Sequence, residues 1–105
     1  MAEPGAAPAA LPGLAQFAAL VGQRLDLLPH GGTPPLPATL VEATAAGTPA
    51  FQGREPFSLV FECPGSDVLP QGMRLLQHPT LGAFELFLVP VGRGPAGVRY
   101  QAVFN

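Results

Sequence analysis

The 105-residue sequence is poor in the side chains that most often carry chemistry or bind nucleic acid. It contains one cysteine, Cys63, and two histidines, and all five of its basic residues are arginines. A single cysteine cannot form an intramolecular disulfide or a cysteine-based zinc site. A formal net charge of −2 leaves no basic footprint for nucleic acid. The composition therefore excludes both kinds of cysteine site and predicts no nucleic-acid partner.

Long apolar runs are also missing. No segment approaches the roughly 18 residues of a membrane-spanning helix, so the sequence predicts no membrane partner. Residues 1–12 have three prolines and no basic residue, and they therefore lack the charged start and unbroken apolar stretch of an export signal. We predict a flexible leader over residues 1–12 and a single β-rich domain over residues 13–105, and we expect the protein in the cytoplasm.

Hydrophobic residues are abundant, at 48% of the chain, which excludes disorder throughout. The first of them follow helical spacing. Leu14, Phe17, Ala18 and Val21 lie at i, i+3, i+4 and i+7, which predicts one face of a short helix that Gly22 ends. A helix of about two turns is unstable alone in water. We therefore expect this helix to pack against a sheet.

Alternating apolar and polar residues after Gly22 predict six strands, separated by turn segments such as the PHGGTPP loop at 29–35. The expected spans are 25–28, 36–45, 57–63, 73–77, 83–91 and 98–104. Connections this short cannot hold crossover helices, so the strands should be antiparallel. We predict a mainly β fold, a six-stranded antiparallel small barrel or sandwich with one short N-terminal helix.

The same alternation predicts which side chains face the core. In the third strand the core set is Phe57, Leu59, Phe61 and Cys63. In the strand at 36–45, one side carries Leu40, Glu42 and Thr44, and the other carries Val41 and Ala43. This second pattern predicts a half-buried strand with a polar side.

The strand at 83–91 is apolar on both sides except for Glu85. One side carries Phe84, Leu86 and Leu88, and the other carries Phe87, Val89 and Val91. Such a strand needs cover on both sides, which the helix around Phe17 or a second copy of the chain could supply. Pro90 cannot donate to a ladder and predicts a bulge, a strand end or an edge, and the GRGPAG segment at 92–97 predicts a turn.

The sequence offers few candidates for catalysis. Cys63 and His78 are the one cysteine and histidine combination that a hairpin could bring together, but burial on an apolar face should raise the pKa of Cys63 and keep it an inert thiol. We interpret His78 and His30 as turn residues, since no histidine spacing indicates a metal site. Ser58 and Ser66 lack a hydrolase context. We predict no enzyme activity, no cofactor and no metal.

The glycine-rich segment at 92–97 lies between strands and therefore offers no helix N-terminus to a phosphate. The scattered arginines Arg54, Arg74 and Arg99 are expected in surface ion pairs or as stems over apolar surface. A carboxylate-binding cluster is the alternative if folding gathers them.

Several phrases carry a family resemblance over residues 14–105: LVEAT, PFSLVFECPG, LPQGMRLLQHPTLGAFELFLVPVG and YQAVFN. Together they resemble a family of short bacterial proteins classed as a domain of unknown function. The resemblance implies a shared β-rich fold, no established activity, and genes that in some members lie near those of phage-tail-collar-like proteins. This sequence has Gln101 where glutamate is common and Cys63 where a small residue is frequent, which argues against essential chemistry at either position.

We interpret the chain as a non-enzymatic binding or assembly module with a protein partner or a second copy of itself. The candidate interaction residues are Gln71, His78, Phe87 and Val89, because they lie in turns or on the strand with two apolar sides. One alternative is a barrel that binds a small apolar ligand, with an interior lined by Phe57, Phe61, Leu86 and Tyr100. The other is an enzyme that uses His78 with Cys63 or a carboxylate.

Overall fold

The computed structural model describes residues 13–28, 34–45 and 56–104, and these form a closed barrel of six antiparallel strands with one short helix. The elements are α1 (Leu14–Ala18), β1 (Arg24–Leu28), β2 (Leu36–Ala45), β3 (Phe57–Cys63), β4 (Gly72–His78), β5 (Gly82–Gly94) and β6 (Gly97–Phe104). The predicted fold class is confirmed, and the barrel is the form adopted. The leader predicted at 1–12, and residues 29–33 of the predicted loop, lie outside the described residues.

The strands close into a ring in the order β1, β2, β3, β6, β5, β4. β1 completes the ring because it pairs on both sides: Leu27 lies opposite Leu36 of β2 and opposite Leu76 of β4. Each described strand therefore has two neighbours, although β5 pairs with β6 only from Val89 onward and residues 82–88 pair with β4 alone. This arrangement gives every strand one face toward a common interior and one face outward.

Apolar side chains fill the interior of the barrel. Alternate residues of each strand point inward, which satisfies the period of two that the sequence shows. The buried hydrophobic set is Phe17, Leu20, Leu25, Leu27, Ala38, Leu40, Phe57, Leu59, Phe61, Cys63, Leu76, Phe84, Leu86, Leu88, Val98, Tyr100 and Ala102. The core predicted for β3 is confirmed.

The helix α1 closes one end of the barrel. Gly13 has no side chain to cap the helix, but its N–H donates to Oε1 of Gln16 at 2.8 Å. Phe17 is fully buried, and its ring lies 5.6 Å from that of Phe84 and 6.1 Å from that of Phe57. No helix in the described residues is long and apolar enough to cross a membrane.

The predicted apolar stripe of the helix is wrong at its far end. Leu20 is buried, whereas Val21 is 46% exposed. The helix ends at Ala18, so a residue seven positions after Leu14 is no longer on its inner face. Gly22, the predicted end of the helix, lies four residues beyond its last residue, Ala18. It adopts a φ of 93° and its N–H donates to the carbonyl of Leu40, which turns the chain toward β1.

Two bulges modify the simple alternation. In β2 the register shifts between Leu40 and Glu42. Leu40 is buried and Ala43 packs against the core, whereas Glu42 is exposed, so the predicted placement of Leu40 and Glu42 on one side is wrong. An extra residue in a strand reverses the facing of every residue beyond it. The second bulge, between Pro90 and Gly92 of β5, confirms one of the alternatives that Pro90 predicted.

The connection between β5 and β6 is shorter than the predicted GRGPAG turn. The two strands stay paired to Gly94 and Gly97, so only Pro95 and Ala96 form the turn. Gly97 has a φ of 153°, and a Cβ atom there would overlap the carbonyl oxygen of Cys63. Glycine therefore lets the hairpin lie against the end of β3.

Candidate functional site

An apolar surface lies on the outside of the barrel, across β4, β5 and β6. Met73 is 58% exposed, Phe87 48% and Val103 57%. Met73 and Phe87 are directly opposite each other in the β4–β5 ladder. The β5–β6 ladder ends at the pair of Val89 and Gln101, so Phe87 and Val103 lie two residues beyond it, on the same outer side of their strands. These three exposed side chains form a row on the outside of three successive strands.

A second row lies beside the first, toward the β5 bulge. It is centred on half-buried Val89, with Gln101 on one side. Gly72 and Leu88 form the last pair of the β4–β5 ladder, and exposed Gln71 is the bend residue just before β4, near the level of Val89. We call these two rows the β5 face, defined by Met73, Phe87, Val103, Gln71, Val89 and Gln101. The face combines an apolar centre with amide side chains at its rim.

The structure brings together three of the four predicted interaction residues. Gln71, Phe87 and Val89 share the β5 face. The helix, one of the two alternatives for covering β5, covers its inner side only, because Phe17 enters the end of the barrel and contacts the inward residue Phe84. A short helix that plugs the interior cannot also lie on the outside.

His78, the fourth predicted residue, is apart from the others and buried. Its Nδ1 accepts hydrogen bonds from the backbone N–H groups of Thr80 (3.1 Å) and Leu81 (3.3 Å). Since Nδ1 accepts, the proton lies on Nε2, which donates to Oε1 of Gln23 at 3.1 Å. The imidazole of His78 thus connects the turn after β4 to the residue before β1 by hydrogen bonds, as expected for a turn histidine.

Cys63 and His78 lie three strands apart around the barrel. Continuing the β2–β3 register by one residue places Cys63 beside Ala38, which pairs with Leu25 of β1, and the β1–β4 register continues from Asp26 and Gln77 to Leu25 and His78. Three strand spacings of about 4.8 Å therefore separate the two residues, which is too far for a direct contact. Burial, and next the charge of Glu62, raise the pKa of Cys63 to about 11, so the thiol stays protonated as predicted. The structure therefore does not bring the two residues together as a catalytic pair.

An open cleft of about 340 Å³ lies at the helix end of the barrel, lined by Asp26, Gln77, His78, Pro79, Gly82 and Ala83. Asp26 is the one charged side chain among them, and Arg24 lies 3.4 Å from it. In the described part of the chain, no three His, Cys, Asp or Glu side chains are grouped as metal ligands. His30 lies outside the described residues.

The arginines do not gather into a carboxylate-binding cluster within the described residues. Arg74 is buried and donates to the carbonyl of Pro70, so its expected surface position is wrong. Arg99 is on the outside, where its Nε donates to Glu62 at 3.3 Å. Glu62 is itself buried, because the β5–β6 hairpin covers it and the N–H of Ala96 donates to the same carboxylate oxygen. Arg54 lies outside the described residues.

The four side chains expected to line a ligand cavity are all buried in the core: Phe57, Phe61, Leu86 and Tyr100. Phe57 stacks on Phe104 with ring centroids 4.3 Å apart. The hydroxyl of Tyr100 accepts a hydrogen bond from the N–H of Leu69 at 2.9 Å, which holds the LPQG segment across the end of the barrel away from α1. These residues occupy the interior with their own side chains.

Sequence reasoning missed Met73 and Val103 as members of the candidate site. A signal for Met73 was present in the sequence. If the HPTLG turn pairs His78 with Gly82, counting back along both strands places Met73 opposite Phe87. Val103 could not be found this way, because the bulge after Pro90 changes the count between β5 and β6.

Comparisons with known proteins bear on the whole of this structure. A family model described as "Domain of unknown function (DUF6916)" matches residues 12–104. No curated protein and no solved structure matches the chain. The matched segment includes α1 and all six strands.

Proposed function

The chain belongs to this family of unknown function, and from that premise we propose that it is a non-enzymatic binding and assembly module. The β5 face is the proposed contact surface, and the partner is another protein chain. The barrel serves as a rigid support, since six paired strands fix the positions of the outward side chains.

The observation that carries this proposal is the row of Met73, Phe87 and Val103, each about half exposed. Single exposed apolar residues are common on protein surfaces, but a contiguous group marks an interaction site more often than a single residue does. Aromatic residues and methionine are also enriched at the centres of protein interfaces. Water contact with this row is unfavourable, and a partner surface would remove it.

The neighbouring side chains favour a protein partner over a charged ligand. The rim of the β5 face carries the amides of Gln71 and Gln101, which can donate and accept hydrogen bonds with a partner's backbone. An apolar centre with a polar rim is the usual composition of a protein interface. Some members of the family that the sequence resembles have genes near those of phage-tail-collar-like proteins, and we include association with phage-tail-like proteins in the proposal.

A site-specific photo-cross-linking experiment tests the proposal. A benzophenone amino acid replaces Phe87 in the full chain, and the matched control places it at Gln77, which is exposed on the outside of β4 beyond the β5 face. After irradiation in cells, we expect a discrete cross-linked product with Phe87 and none with Gln77. Mass spectrometry then identifies the product, and Met73→Glu should abolish it.

The same experiment can overturn the proposal. If positions 87 and 77 give the same products, or if neither gives a product, the β5 face is not a contact surface. A product that survives Met73→Glu unchanged would also contradict it, because a charged side chain in the centre of a real contact must weaken that contact.

A further inference from the structure

The outward positions of β4, β5 and β6 carry two charged side chains, one at each end of the β5 face. Glu85 is exposed at the end nearer α1, and Arg99 lies beside Gly92 at the other end. The other arginines of these strands point elsewhere. Arg74 is buried. Arg93 pairs with the buried residue Val98, so it is not on the face that carries Arg99, and it donates to the carbonyl of Ser66. The face therefore has one acidic end and one basic end.

The two charged ends are equally far from the middle of the face. Glu85 is three ladder positions before Leu88, and Gly92 is three positions after it, because Val91 is the extra residue of the bulge. A two-fold axis that crosses the strands at the level of Leu88 would place Glu85 of one copy opposite Gly92 of the other. Arg99 is then one strand spacing away, about 4.8 Å, within reach of a long side chain.

We infer that the β5 face binds a second copy of this chain, in a symmetric face-to-face dimer with Glu85 of each copy paired with Arg99 of the other. This inference rests on the proposed function and names its partner. A two-fold interface must be self-complementary, and an acid and a base at equal distances from one axis meet that requirement. A partner with a uniform charge would be repelled by one end of the face.

The centre of the face fits the same axis. Phe87 of each copy faces Val89 of the other, and Met73 lies over the aliphatic stem of Gln71. Arg99 can serve two carboxylates, because a guanidinium has five N–H donors and the bond to Glu62 is made through Nε. Its side chain is 39% exposed, which leaves the guanidinium accessible to a second acid.

The size of the face sets the strength of the dimer. Three strands over about seven ladder positions span about 15 Å by 23 Å, or roughly 350 Å² of each copy. Stable complexes bury about 800 Å² on each partner. We therefore expect a weak dimer that dissociates in the micromolar range, so that monomer and dimer exchange with concentration.

Sedimentation of the full chain from about 10 μM to 1 mM measures this equilibrium. The average mass should rise from 10.8 kDa toward twice that value. Glu85→Arg places two like charges together at each end, so the transition should move to at least tenfold higher concentration. The matched control is Glu42→Arg, the same charge change at an exposed site of β2, on the opposite side of the barrel, and it should leave the transition unchanged.

A chemical cross-link tests the orientation independently. With Val89→Cys, the two introduced thiols lie near the axis, and a short bismaleimide should join the copies. With Gln77→Cys, they lie roughly 33 Å apart, and no link should form. The wild-type chain controls for Cys63, whose buried thiol should not react.

An average mass that stays at 10.8 kDa up to about 1 mM overturns the dimer. Equal effects of Glu85→Arg and Glu42→Arg, or equal linking at positions 89 and 77, do so as well. If the photo-cross-linked product contains a different protein, the dimer is wrong while the proposed function stands. A link from position 87 to residues 1–12 of the same chain would overturn both.

Discussion

At the scale of single residues, burial keeps the thiol of Cys63 protonated. Its thiol is at the end of β3, where the apolar interior and the charge of Glu62 both disfavour a thiolate. The reactive form is the thiolate, so alkylation of the folded protein at pH 7 should be far slower than that of the unfolded chain. Mass spectrometry after a timed reaction with iodoacetamide measures this rate. Equally fast modification of both forms would contradict the burial of Cys63.

The raised pKa of Cys63 also predicts how stability depends on pH. The folded pKa is about 11 and the ordinary value is 9.0, so the folded state holds its proton more tightly. The corresponding stability is fully present below pH 9 and is lost as the pH rises through 11, on the order of 3 kcal/mol in all. Urea unfolding of wild type and Cys63→Ala at several pH values should show this difference shrinking between pH 9 and 11. A difference that does not change with pH would contradict the prediction.

Glu62 is a second residue whose burial requires hydrogen-bond partners for its carboxylate. Its buried carboxylate accepts from the N–H of Ala96 and from Nε of Arg99. Glu62→Ala leaves both donors without that acceptor and should lower the free energy of unfolding by about 2–3 kcal/mol. Glu42→Ala, at an exposed site, should change it by less than about 0.5 kcal/mol. Equal effects in urea denaturation would show that the hairpin does not depend on this carboxylate.

At the scale of elements, α1 contributes to stability through one side chain. Phe17 packs on three rings, those of Phe57, Phe84 and Phe104. Phe17→Ala would leave a cavity at the end of the barrel and should cost about 3–5 kcal/mol of unfolding free energy. Val21→Ala, in the exposed turn after the helix, is the control and should cost less than about 0.5 kcal/mol. Similar thermal unfolding midpoints for both variants would show that Phe17 does not stabilise the end of the barrel.

The β5–β6 hairpin depends on a glycine. A Cβ atom at Gly97 would overlap the backbone of Cys63, which cannot move as a flexible side chain can. Gly97→Ala should therefore cost more than about 4 kcal/mol or prevent folding. Gly65→Ala is the matched control, with a φ of 100° but open space around it, and should cost about 1–2 kcal/mol. Urea unfolding followed by circular dichroism compares the two variants. Equal losses of unfolding free energy would show that the positive φ, and not the close approach to Cys63, makes glycine necessary at position 97.

The sequence predicted the strands well because most of them alternate without interruption. In β3, Phe57 and Phe61 mark the inner face directly, and both bounds of the strand are confirmed. The alternation fails where a bulge adds a residue, as before Glu42, since nothing in the side chains themselves marks that insertion. The segment from Gly94 to Gly97 reads as a loop, although its glycines serve close packing within a longer hairpin.

The candidate site was harder to predict than the strands. Phe87 and Val89 stood out because both sides of β5 are apolar. The burial of Glu62 and Arg74 could not be foreseen, because it depends on a hairpin and a loop that arrive from distant parts of the chain. The β5 face itself exists only after three strands are aligned, and strand order is a property of the whole fold.

At the scale of the whole molecule, the ring of strands shares one interior, so its parts should unfold together. The chain has one tyrosine and no tryptophan, and Tyr100 is fully buried, so its fluorescence reports on the core. We expect urea midpoints from Tyr100 fluorescence and from far-ultraviolet circular dichroism to coincide in dilute solution. Separate midpoints would contradict the single domain predicted for residues 13–105.

The ring has a further consequence for how this fold can evolve. Each described strand is paired with two neighbours over part of its length, and along those paired stretches recognition must come from outward side chains. Those side chains take no part in filling the interior. Substitutions at a few outward positions could thus redirect this scaffold from one partner to another while the inward half of every strand stays under separate selection for packing.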